Sequence, residues 1–161
     1  MAMQRNLFEY LEQSALKYGH KVAFADPRNA YTFRSLLDVA ESIGTFIMTR
    51  TNALNQPVAI LVERSSMSLA GFMGILASGN YYVPIDRDMP PRRLEQILRT
   101  LRPAALLGPK NAEEDMAHFG ALCPVFTIEE AQRFASSGMF LQTYCSTPGI
   151  SLILFVRFRL F

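Results

Sequence analysis

The sequence predicts an α/β fold, a mostly parallel sheet with helices on both faces. Three observations carry that reading. Short apolar runs alternate with amphipathic stretches in the order strand, helix, strand, helix. The run Pro57-Val58-Ala59-Ile60-Leu61-Val62 is continuously apolar, as a strand covered on both faces must be. Gly79, Arg102-Pro103 and Gly108-Pro109 punctuate the runs where helices and strands have to stop.

Taken in order, residues 5–18 place Leu7, Phe8, Leu11, Ala15 and Leu16 at helical spacing, with Asn6 as cap and Gly19 as terminator. Residues 21–25 and 30–31 flank the turn Asp26-Pro27-Arg28-Asn29 and read as a hairpin. Thr32 caps a second helix with Leu36, Leu37, Ala40, Ile43 and Ile47 on one face. Ser65 or Ser66 starts a third, whose interior Gly71 and Gly74 each cost roughly 1 kcal/mol of propensity against alanine. Close packing on a neighbour explains them better than a phosphate cradle, because they lie mid-helix without a following Lys-Ser/Thr.

Gly79 suits a left-handed C-cap, Asn80 the turn, and Tyr81-Tyr82-Val83 a strand. Pro84 ends regular pairing or puts this strand at the sheet margin. Residues 91–101 form a helix burying Leu94, Ile97, Leu98 and Leu101, with Glu95 and Arg99 paired at i,i+4. Residues 104–107 are a strand, 111–119 a polar helix, 124–127 a strand and 128–134 a short helix capped by Thr127. Residues 1–135 are read as one α/β unit, 136–149 as linker-like, and 150–161 as a broken strand with an aberrant tail.

Bulk properties exclude several function classes. With 161 residues, 50% of them hydrophobic and 19% charged, the composition is that of a globular domain. A net charge of +2 argues for neither nucleic acid nor an anionic membrane. Arg87, Arg92, Arg93, Arg99 and Arg102 crowd one region, read as a solvated helix face ahead of a phosphate site. Cys123 and Cys145 match no metal spacing and read as reduced, buried thiols of a cytoplasmic protein. His20 and His118 lack partners at ligand spacing and read as surface residues. Asp86 and Asp88 read as turn and cap residues, and Tyr81 and Tyr82 as packing residues.

The stretch Leu76-Ala77-Ser78-Gly79-Asn80-Tyr81-Tyr82-Val83-Pro84-Ile85-Asp86, followed by Pro90-x-x-Arg93, resembles the second core motif of the adenylate-forming (AMP-dependent synthetase/ligase) family. That motif runs roughly L-K-A-G-x-x-Y-V-P-x-D. The tyrosine followed by Val83-Pro84-Ile85-Asp86 is most similar to the amino-acid-activating branch, peptide synthetases and D-alanine–carrier-protein ligases, although Ala77 replaces that branch's lysine. Tyr31-Thr32-Phe33-Arg34-Ser35-Leu36 resembles the family's first motif, L-T-Y-x-E-L. Ser35 stands at the glutamate position, so the reciprocal half of a capping box is expected to be lost, at about 1 kcal/mol or less.

The resemblance implies the N-terminal part of an enzyme that activates a carboxylate with ATP and Mg²⁺ to an acyl-adenylate, then passes it to a carrier thiol. In the family, a strand such as residues 150–155 leads into a T-S-G-S-T-G-x-P-K-G phosphate loop, whose backbone N–H groups hold the triphosphate. Here Val156-Arg157-Phe158-Arg159-Leu160-Phe161 follows instead. The codons ACG-TCC-GGT-TC for that loop, read two bases on, give Val-Arg-Phe, so a change of frame is expected at this point. The family's Mg²⁺-binding acid, ribose-binding aspartate and catalytic lysine have no matching positions. No catalytic, cofactor-binding or metal-binding residue is therefore assigned, and the isolated chain is expected to be inactive. Two other readings stand beside this one. The first is a non-catalytic module, or one half of a split ligase docking through residues 150–161. The second is a membrane-surface tail at Arg157 and Arg159.

Overall fold

The computed structural model describes residues 6–134. Helix α1 (Leu7–Tyr18) starts at Asn6, whose side chain accepts from the Glu9 N–H at 2.9 Å. Strands β1 (Val22–Ala25) and β2 (Ala30–Thr32) form an antiparallel hairpin. Then follow α2 (Phe33–Thr51), β3 (Pro57–Val62), α3 (Ser66–Ala77), β4 (Tyr81–Asp86), α4 (Pro91–Leu101) and β5 (Ala105–Gly108). A 3-10 turn at Lys110–Ala112 leads into α5 (Glu113–Ala117), β6 (Val125–Thr127) and α6 (Ile128–Gln132). The linker-like stretch, the strand expected at 150–155 and Cys145 lie outside the described residues.

Strands β3 to β6 form one parallel sheet in the order β4-β3-β5-β6. Side chains of successive strand residues point to opposite faces, which splits the core in two. Val58, Ile60, Ala105 and Leu107 face α1, α2, α3 and α6. Ala59, Leu61, Ile85 and Leu106 face α4 and α5. The three-layer arrangement predicted from the continuously apolar β3 is the one found. Pro84 lies within β4, which continues to Asp86, and the proline is tolerated there because β4 is a sheet edge.

Helix α3 can lie as close as it does only because it carries glycine at its contacts. A Cβ on Gly71 would sit 2.6 Å from Ile60 Cδ1, and one on Gly74 would collide with the Ile43 side chain of α2. Gly44 of α2 answers from the other side, where a Cβ would lie 2.8 Å from that of Ala77. The close-packing explanation of the two α3 glycines holds.

The turn after α3 is more than a polar turn. Gly79 adopts φ 74° as the left-handed residue expected there. Asn80, however, is completely buried. Its Oδ1 accepts from Gln56 N–H at 3.0 Å, while Nδ2 donates to Ala53 O at 3.0 Å and Ser78 Oγ at 2.9 Å. One amide thus joins the α2–β3 loop to the α3–β4 turn and satisfies backbone groups no strand reaches.

Two local expectations need correction. Ser35 does complete the capping box: its Oγ accepts from Thr32 N–H at 2.9 Å while Thr32 Oγ1 accepts from Ser35 N–H at 3.2 Å. A hydroxyl is short but has lone pairs enough, and the tight first turn brings it within reach. The helix expected over 111–119 is a 3-10 turn followed by only five α-helical residues. Its early end reflects the backbone bonds of Phe119 to Met116 O and Gly120 to Ala117 O, which tighten the last turn.

Two stability outcomes follow. Gly74→Ala should destabilise the fold by roughly 1–3 kcal/mol in urea titrations, despite alanine's better helix propensity, because the methyl must displace Ile43. Asn80→Ala should cost about 2–4 kcal/mol by the same measurement, since it strands buried partners at Gln56 and Ala53.

Candidate functional site

In open parallel sheets, ligands settle in the crevice beyond the carboxyl ends of the strands, where the connections diverge. Here β3 is followed by a connection to one side, to β4, and the next crossover returns past it to β5. The crevice at that point has a volume of about 360 Å³ and is formed by the hairpin turn, Glu63 and Ser65 after β3, residues 109–111 after β5, and Glu129 of α6.

Asp26, Glu63 and Glu129 line it together with Arg28 and Lys110, and each of the three carboxylates is tied to a neighbouring segment. Arg87, just after β4, pairs with Glu63 at 3.0 Å with both side chains mostly buried, and its other nitrogen donates to Asn111 O at 3.3 Å. This guanidinium therefore links the ends of β4, β3 and β5. Glu129 Oε2 accepts from Lys110 N–H at 2.9 Å. Asp26 does most. One oxygen accepts from Arg28 and Asn29 N–H at 2.7 and 2.9 Å, and the other accepts from both N–H and Oγ–H of Ser66 at 2.6 Å.

Ser66 is the first residue of α3, so the Asp26 carboxylate occupies the positive end of that helix beside the Ser65 cap. Bonds from Ser66, then Arg28 and Asn29, hold its pKa well below the usual carboxylate range. A helix start is where a phosphate would bind. At α3 that position is already filled by the chain's own anion, and the helix's interior glycines are filled by Ile60 and Ile43. The amino end of α3 is therefore not open to a phosphate.

The other residues considered from the sequence lie away from this crevice. Arg92, Arg93, Arg99 and Arg102 are exposed on α4 and at its end, as a solvated face, whereas Arg87 leaves that group for its pair with Glu63. Arg99 pairs with Glu95 at 2.7 Å. Asp88 N–H bonds to Asp86 Oδ1 at 2.9 Å, the turn role expected of this pair. Tyr82 stacks on Phe72 with ring centroids 4.5 Å apart. His20 and His118 are exposed, and Cys123 is buried, its thiol pushed up to about 11 by desolvation. Among the described residues no three His, Cys, Asp or Glu gather as a metal site, and no helix is long and apolar enough to cross a membrane. Sequence reasoning placed Asp26 in the hairpin turn and Arg87 in the arginine cluster but missed Glu63 and the ties to Ser66 and Glu63, whose partners lie 24 to 40 residues apart.

Architecture and crevice together define a class: a doubly wound α/β unit whose ligand crevice is cross-tied by its own side chains. The chain belongs to the AMP-binding enzyme family, whose model matches residues 11–137. It is similar to one of the mycosubtilin synthase proteins of Bacillus subtilis, with 26% identity covering 94% of this chain and 6% of that protein. It is also similar to a D-alanine–D-alanyl carrier protein ligase of Listeria innocua, 28% identical over 62% of this chain and 19% of the ligase. The chain thus spans under a fifth of the length of either relative. Among solved structures, a nonribosomal peptide synthetase, FmoA3, bound to alpha-methyl-L-serine-AMP shares the fold with TM-score 0.76 and 21% identity, covering 82% of this chain and 15% of that one. ATP-bound MatB from Rhodopseudomonas palustris shares it with TM-score 0.72 and 19% identity, over 83% and 29% of the two chains.

Asp26→Asn should lower the urea midpoint at neutral pH, because an amide cannot serve four donors as a carboxylate does. A carboxylate whose folded-state pKa is depressed contributes fully above its unfolded pKa and loses that contribution as pH falls toward the folded value. The gap between the parent and variant midpoints should therefore narrow as pH drops below about 4. A gap independent of pH would show that the charge is irrelevant.

Proposed function

We propose that these residues are the N-terminal scaffold of an adenylate-forming ligase of the amino-acid-activating branch. The family match supports the assignment, and the relatives named as a peptide synthetase and a carrier-protein ligase support the branch. In the complete enzyme, an amino acid or other carboxylate would be activated with ATP and Mg²⁺ and passed to the thiol of a carrier protein. Cytoplasmic placement belongs to the same reading.

The single observation behind a scaffolding role is the state of the crevice. Asp26 fills the α3 terminus, and Glu63, Arg87 and Glu129 are spent on holding loops together. Activation of a carboxylate needs pre-placed positive charge and donors where phosphate charge develops. At α3 the donors that could meet such charge are taken by Asp26, and the 161 residues contain no match to the family's phosphate loop. What this part contributes is a rigid sheet on which such groups can be mounted.

The purified 161-residue polypeptide, given ATP, Mg²⁺ and each common amino acid, should release pyrophosphate only at the background rate. Release above background with any of them would overturn the scaffolding role.

A further inference from the structure

Helices α4 and α5 cover the second face of the sheet without closing over it. Between them lies a cleft of about 550 Å³, within the range of small-molecule sites. Leu61 of β3 forms part of its floor, and Leu94, Phe119 and Leu122 contribute apolar lining. This cleft is separate from the crevice bounded by Asp26 and Glu129.

We propose that the cleft is a binding site for a small organic anion with an apolar body. The charge distribution fixes the orientation. Arg92, in the first turn of α4, reaches the rim and has no hydrogen-bond or ion-pair partner among the described residues. Its neighbours on the lining differ: Arg87 is held by Glu63, and Arg99 and Glu95 neutralise each other. Asp115 sits on the opposite wall and repels an anionic head toward α4. The apolar body covers Leu61, Leu94 and Phe119, which removes hydrocarbon from water. The head meets Arg92 with a charge-assisted bond that an uncharged analogue cannot make. An amphipathic protein helix could cover the same floor, but the limited volume and single unpaired cation favour a compact ligand.

The test uses the full 161-residue chain and octanoate as the probe, with octanol as its uncharged counterpart, followed by amide-resolved NMR. Octanoate should bind saturably and shift signals from residues 89–95 and 112–122. Arg92→Gln should weaken octanoate by about tenfold while leaving octanol unchanged. Ala121→Trp, at an exposed lining position, should block both without touching the core. Absence of saturable octanoate binding, shifts confined to other residues, or equal affinity of the parent and Arg92→Gln would each overturn the proposal. So would binding of an acidic amphipathic peptide across α4 and α5 with none of octanoate, which would assign the cleft to a protein partner.

Discussion

Helix α3 touches α2, β3 and α6 at distances that leave no room for a β-carbon at Gly71 or Gly74. That closeness sets the depth at which α3 lies on the sheet, and the depth sets where its two ends emerge. At its start, Ser66 comes within 2.6 Å of the hairpin's Asp26. At its end, Asn80, braced by Ser78, reaches the loop that feeds β3. A helix held further out by alanines would loosen its contacts with Ile43 and Ile60 and miss both polar ties. The roughly 1 kcal/mol that each glycine costs in propensity is therefore offset by bonds elsewhere in the molecule.

The polar ties share a logic. Short strands leave backbone groups at the sheet's ends without partners, and each must find one away from water. Asn80 serves the amino end of β3 and β4 with one buried amide. At the carboxyl end the work is divided among Asp26, Arg87 and Glu129, each bridging segments distant in sequence. Charges employed in this way are poor candidates for catalysis, since moving them would loosen loops that depend on them. The proposed scaffolding role and the depressed pKa of Asp26 thus rest on one cause, the bonds converging on that carboxylate.

Much of the architecture is legible in the sequence because it is local. Asn6, Thr32, Ser65 and Thr127 each announce a helix one residue before it begins, and each side chain caps as its type suggests. The apolar run of β3 reveals its two-sided burial, and the edge position of β4 is one of two outcomes that Pro84 allows. Ser35 escapes such reading because side-chain length suggests too short a reach, whereas the geometry of one helical turn decides it. Residues 111–119 escape it because a favourable acidic first turn says how a helix starts and little about how far it continues.

By itself, the sequence determined the layer order, the caps and the family, since each rests on residue type at short spacing or on a motif within one segment. The tertiary structure alone decided that Asp26 occupies the α3 terminus, that Arg87 joins three strand ends, and that a cleft remains between α4 and α5. Such features depend on the separation of elements far apart along the chain. Separation follows from how deeply side chains interlock, a property of surfaces in contact that no single stretch of sequence contains.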